Sequence, residues 1–306
     1  MALLELDILA RIRALLPGGE ALTDDCGALP PLSPGEILLV STDLMEDGVH
    51  FRRDWHPPHL LGRKLLSVNL SDLDGSGARP LGFTLTLALP SDLDSQWLEA
   101  FLGGLAEAAK TIGIPVIGGD TVGRTSGIGL GMTVFGAASR WLQRGGLRPG
   151  DQLYVDQSLG GSLRGLRKLQ AGARWNPAAP DPDIEAHLNP RPNLGLGVRL
   201  ADLPEVSAAM DLSDGLSRDL RSMALASGVT LRLRPDLERD ALQGGEDYAR
   251  CFGSSLAKEK LEVLLGIPLI PVAEALPRGP APLVIYDGGE DHPVPDLAFD
   301  HFSPGS

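Results

Sequence analysis

The sequence has little cysteine, a shortage of positive charge and no long apolar run, and each shortage argues against a class of protein. Its two cysteines, Cys26 and Cys251, lie far apart and in no metal-type spacing, which speaks against a disulfide framework. Acidic residues number 40 against 27 Lys and Arg, a net charge of −13. Nucleic acid is gripped through cationic surface, so this balance disfavours such a partner. Met1 to Arg13 lacks the cationic stretch and apolar core of a secretory signal. No apolar run approaches the length needed to cross a bilayer. A cytoplasmic protein without a membrane partner is the expectation.

Familiar catalytic motifs are missing as well. There is no Gly-x-x-x-x-Gly-Lys-Ser/Thr phosphate loop. Neither the His-Arg-Asp and Asp-Phe-Gly set of protein kinases nor a Gly-x-Ser-x-Gly nucleophile turn occurs. Phosphates would have to be held through metal ions and by Gly-rich turns at helix starts, such as Gly160-Gly161-Ser162.

What the chain does have is length enough for two domains at 306 residues, and 38 Gly and 25 Pro that imply many short loops. Apolar spacing predicts helices over 3–16, 57–72, 94–112, 160–169, up to about 202, over 214–227 and from 255. It predicts strands over 38–43, 81–89, 114–117, 128–138, 152–155, 206–212, 229–233, 248–253, 267–272 and 283–286. The Pro-rich stretch 176–192 reads as a loop, and a polar tail completes the chain. Arg144 to Asp151, rich in Gly and Pro, is the candidate boundary, giving domains 1–143 and 144–306. Strands and helices alternate in both halves, which predicts an α/β or α+β fold.

The candidate chemistry lies in carboxylates placed beside small residues. Leu38-Leu39-Val40 reads as a buried strand that ends in Ser41-Thr42-Asp43. Asp24-Asp25, Asp72, Gly118-Gly119-Asp120 and Asp211-Leu212-Ser213-Asp214-Gly215 have the same character. Hard oxygen donors without clustered His or Cys suit magnesium, which is shared between a few carboxylates and substrate phosphates. Several such loops fit ions bridging a polyphosphate. Other roles compete: Asp214, Asp94 and Ser255 are placed to cap the helices that follow them.

Taken together, the motifs resemble the thiamine-monophosphate kinase family, within the aminoimidazole-ribonucleotide synthetase superfamily. They are Asp24-Asp25-Cys26, Ser41-Thr42-Asp43, Gly48-Val49-His50-Phe51, Asn69-Leu70-Ser71-Asp72-Leu73, Gly118-Gly119-Asp120-Thr121, Asp211-Leu212-Ser213-Asp214-Gly215-Leu216, Gly244-Gly245-Glu246-Asp247-Tyr248 and Phe299-Asp300-His301-Phe302. The resemblance implies transfer of the ATP γ-phosphoryl group to thiamine phosphate, giving thiamine diphosphate, through a magnesium cluster. It implies a two-domain fold: an amino-terminal ATP- and metal-binding domain whose sheet forms a shared barrel in a homodimer, and a carboxy-terminal α+β domain that closes the active site. By position, Asp25, Ser41, Thr42, Asp43, Asp72, Asp120, Asp211 and Asp214 resemble metal ligands. Gly119, Asp120, Arg144 and Ser213 resemble ATP contacts, and His50, Glu246 and Phe299 substrate contacts. No catalytic base is expected, because a phosphate monoester with a second pKa of about 6 is already largely ionised near neutrality.

Some positions depart from the family pattern. Asp74-Gly75-Ser76 stands where a small apolar Ala-Ala-Met-like stretch is usual, and Ala249-Arg250 replaces Glu-Leu after Tyr248. Residues 234–244 are shortened. Related synthetases with a reactive Cys, a hydrogenase-maturation relative with a terminal Cys, and a non-catalytic metal–nucleotide binding protein are the competing readings.

Overall fold

Two sheets, each with its own core, organise the chain. A computed structural model describes residues 4–297. They divide into two compact units: residues up to Leu73 with Arg79–Ala138, and Asp74–Ala78 with the residues from Ser139 onward.

The first unit contains α1 (Glu5–Leu15), β1 (Ile37–Glu46), most of α2 (Pro58–Gly75), β2 (Arg79–Pro90), α3 (Ser95–Ile112), β3 (Val116–Arg124) and β4 (Gly129–Ala138). Its sheet runs β1-β4-β2-β3, antiparallel except for the parallel β2–β3 pair. Strand residues alternate between two faces. One face buries Phe83, Leu85 and Leu87 of β2 with Leu130, Met132 and Val134 of β4. Helix α3 has the expected Asp94 cap, whose carboxylate accepts from Gln96 N at 3.0 Å.

The expectation of a buried β1 is corrected. The strand sits at the sheet edge, and Ile37, Leu38, Val40 and Leu44 are 45%, 43%, 56% and 56% exposed. Ser41 reaches α2, so the even-numbered Leu38, Val40 and Leu44 alternate onto the opposite face. There they pair in register with Ala137, Phe135 and Gly131 of β4. β3 also differs from expectation. It does not stop before Gly118-Gly119-Asp120 but runs through it, with Asp120 in register with Thr86.

The second unit contains β5 (Gln152–Val155), α4 (Gly161–Gln170), α5 (Pro182–Leu188), α6 (Leu196–Ala201), β6 (Val206–Asp211), α7 (Leu216–Ser227), β7 (Thr230–Leu233), α8 (Arg239–Gln243), β8 (Arg250–Ser254), α9 (Lys258–Leu265), β9 (Ile270–Leu276), β10 (Leu283–Asp287) and β11 (Glu290–Pro293). Its sheet order is β11-β10-β7-β9-β5-β8-β6. Both faces are covered. Leu153, Val155 and Cys251 join Leu216, Leu220 and Met223 of α7 in one core. Tyr154 and Phe252, on the alternate positions, join Leu196, Leu200, Leu261 and Leu265 in the other.

Three expectations change here. The Pro-rich loop contains α5, started by Pro182 in its first turn and by Asp181, which accepts from Asp183 N and Ile184 N. Asp214 does not cap α7: Gly215 occupies that position without a side-chain bond. Ser255 does not cap α9, whose capping position is Ala257. No helix among the described residues is long and apolar enough to cross a membrane.

Candidate active site

In the first unit, the Asp-bearing loop and β3 line one cavity of about 190 Å³, which is bordered by Asp24, Asp25, Gly119 and Asp120, with Ile12 and Arg13 of α1. Two glycines allow this close packing. A Cβ on Gly27 would sit 1.8 Å from Ile117 O, and one on Gly119 would sit 2.0 Å from Leu85 O. Asp25 and Asp120 are both exposed. Asp24 Oδ1 accepts from Asp25 N at 2.8 Å, and Asp120 Oδ1 accepts from Thr121 N at 2.9 Å. These local bonds orient the Asp24 and Asp120 carboxylates while leaving further lone pairs.

A second group forms between β1 and α2. Ser41 Oγ donates to Asp72 Oδ2 at 2.5 Å, and Asp43 N donates to Asn69 Oδ1 at 3.1 Å. Asn69 is fully buried and anchors in turn on Leu65 O at 2.8 Å. Thr42 is not brought to this group. Its hydroxyl donates to Met132 O and accepts from Thr133 Oγ1, both at 3.0 Å, on the opposite sheet face. His50 closes the turn after β1, accepting at Nδ1 from Glu46 N at 3.0 Å.

In the second unit, Asp211 ends β6 and is buried, Ser213 is half-buried and Asp214 is exposed. The loop is held by a residue that sequence reasoning missed: Asp219 Oδ2 accepts from Asp214 N and Gly215 N, each at 3.2 Å. Burial first, then the charges of Asp214 and Asp211, pushes the Asp219 carboxyl up to about 8. Arg144 is exposed, and its carbonyl lies 3.5 Å from Ser227 Oγ.

The 244–248 segment packs against the same loop, through Glu246 N to Ser213 O and Tyr248 N to Leu212 O, both 2.8 Å. Two further residues act here: Asp247, which lies in the 244–248 motif without an assigned role, and His187, which lies in none. Asp247 accepts from Gly160 N at 2.6 Å and Ser162 N at 3.3 Å, so the start of α4 receives a carboxylate of the chain itself. This corrects the expectation that Gly160-Gly161-Ser162 holds phosphate. Burial pushes the Asp247 carboxyl up to about 6 against those two bonds. Buried His187 lies 3.2 Å from Glu246 Oε2. Phe299 lies outside the described residues.

Residues 23–138 match the family described as AIR synthase related protein, N-terminal domain. Over 262 residues the chain is 39% identical to the thiamine-monophosphate kinase of Escherichia coli, covering 79% of each protein. The chain belongs to the thiamine-monophosphate kinase family. It is a kinase with the mixed α/β fold of that family. The family member from Stenotrophomonas maltophilia is 31% identical, with a TM-score of 0.76 over 95% of this chain and 99% of that one. A second solved structure, AaThiL complexed with AMPPCP and TMP, is 26% identical with a TM-score of 0.76 over 97% of each chain.

The donors present fit magnesium. Among the described residues no three His, Cys, Asp or Glu side chains form a group that could hold a metal ion. Magnesium does not need such a cage, because it keeps several waters and binds through one or two carboxylates together with substrate phosphates. Exposed Asp25 and Asp120 on one cavity, and Asp43 beside the Ser41–Asp72 pair, are oxygen donors of that type.

Proposed function

We propose that this chain phosphorylates thiamine phosphate with ATP, giving thiamine diphosphate and ADP by direct in-line transfer. The observation that carries the reading is membership of the kinase family, together with 26% identity over 97% of the chain to a protein complexed with AMPPCP and TMP. An oxygen of the acceptor phosphate forms a bond to the γ-phosphorus as the bond to the β,γ-bridging oxygen breaks. That oxygen is already ionised, so no residue is assigned as base. The task of the protein is positioning.

In the first unit Asp25, Ser41, Asp43, Asp72 and Asp120 would serve as magnesium ligands; in the second, Asp211 and Asp214 would do so. When bound, it neutralises charge on the phosphates. Thr42 is left out because its hydroxyl is engaged on the other face of the sheet. Gly119, Asp120, Arg144 and Ser213 would contact ATP. Glu246, His50 and Phe299 would contact thiamine phosphate. Dependence on ATP is the reason for placing the reaction in the cytoplasm.

We also propose a homodimer formed through the first sheet. Leu38, Val40 and Leu44 leave an apolar stripe exposed on the edge strand, beside Phe135 in register. Such a stripe is costly to leave in water.

A steady-state assay with ATP, magnesium and thiamine phosphate, set against thiamine as alternative acceptor, tests the reading. Thiamine diphosphate formation supports it. Nucleotide binding without turnover would sink it in favour of a non-catalytic binding protein.

A further inference from the structure

Glu246 is held from both sides. Its backbone adopts φ 62°, and Tyr248 adopts φ 51°, a left-handed conformation that L side chains disfavour. Such a conformation persists where the surroundings over-determine it. Here the bonds to Ser213 O and Leu212 O, and Gln157 Nε2 donating to Asp247 O at 2.8 Å, supply that constraint. Asp247 points to the start of α4, while the neighbouring Glu246 carboxylate meets His187 on α5.

His187 is well placed to fix that carboxylate. Its side chain is 5% exposed, against 26% for Glu246. The adjacent α5 residues Ile184 and Leu188 are buried, so the ring rides on a packed helix. Nδ1 lies 3.2 Å from Glu246 Oε2 and 3.1 Å from Ser162 Oγ. An ionised carboxylate only accepts, so the contact to Glu246 requires the proton on Nδ1. A long acidic side chain would otherwise sample several rotamers.

We propose that His187 is a positioning residue that holds the Glu246 carboxylate where it meets thiamine phosphate, an inference that rests on Glu246 being a substrate contact. A fixed, partly exposed carboxylate suits a cationic or N–H-bearing heterocycle rather than a phosphate, so His187 acts on recognition of the ring end of the acceptor.

Kinetics on the full chain test this. His187→Phe is expected to raise the KM for thiamine phosphate by about tenfold, the scale of one charge-assisted hydrogen bond, with kcat and the KM for ATP within about twofold. His187→Asn, whose amide nitrogen can stand near the position of Nδ1, restores most of the loss. In a Glu246→Gln background, His187→Phe adds no further change. Wild-type KM in His187→Phe, an equal loss on both substrates, or additivity with Glu246→Gln would overturn the proposal. If His187→Phe does not fold, His187→Gln, which displaces the donor by one methylene, must show the same selective rise, and wild-type KM there overturns it equally. If Glu246→Gln itself leaves the KM for thiamine phosphate unchanged, the substrate contact fails. A selective rise in Glu246→Gln but not in the His187 variants fails the positioning role alone.

Discussion

Arg250 donates from Nε to Asp74 Oδ2 across 2.6 Å, and both side chains are essentially withdrawn from solvent at 0% and 4% exposure. Asp74 also accepts from Gly195 N at 2.6 Å and Gly197 N at 3.1 Å. These are two of the positions where the sequence departs from the family pattern, and they are partners. Removing one member of a buried pair leaves an uncompensated charge and costs about 3–5 kcal/mol, whereas replacing both by apolar residues is often neutral. Arg250→Leu is therefore expected to lose about 3–5 kcal/mol of unfolding free energy in urea. The double variant Asp74→Ala, Arg250→Leu should recover part of it, the remainder being the loss of the acceptor for Gly195 N and Gly197 N. A double variant as unstable as the single one would refute this coupling.

Asp43→Asn and Asp120→Asn should each keep the fold, because both side chains are exposed. Metal-ion charge stabilisation is worth several kcal/mol, so thiamine diphosphate formation should fall at least about 100-fold in each. Circular dichroism and the steady-state rate together check this. Wild-type rates would remove these residues from the metal set.

Asp247 titrates at about 6 in the folded chain, raised chiefly by burial. A carboxyl raised above its unfolded value of about 3.9 favours folding fully below that value, and the contribution is lost as pH rises through the folded pKa. Asp247→Asn cannot lose it. The stability of the variant relative to wild type should therefore climb between pH 4 and pH 7, by up to about 3 kcal/mol. Denaturant unfolding at several pH values measures the difference. A flat difference would contradict the assigned shift.

Val40→Lys with Leu44→Lys places charge on the exposed stripe of β1 without disturbing the buried face of its sheet. If the wild type forms the proposed dimer, sedimentation should show it converting to monomer in this variant, because edge lysines oppose strand association. An unchanged sedimentation coefficient would overturn the proposed association through this strand.

The regular elements were the legible part. The long apolar period of α3 and the alternation along β2 matched their helix and strand closely. Short polar elements gave no period to read: α8 has five residues, and β11 is Glu-Asp-His-Pro, exposed throughout. The edge position of β1 was not legible because an apolar run reports burial without saying what buries it. The parts played by Asp219, Asp247 and His187 were illegible for another reason. Their roles arise from backbone amides and a carboxylate brought together by folding, and single-residue spacing carries no record of that.

Residues Asp74–Ala78 lie between two segments of the first unit and yet belong with the second. A chimera with a relative, made by one crossover near residue 139, would inherit position 74 from one parent and position 250 from the other. Recombination between family members must therefore carry these two sites as a linked pair.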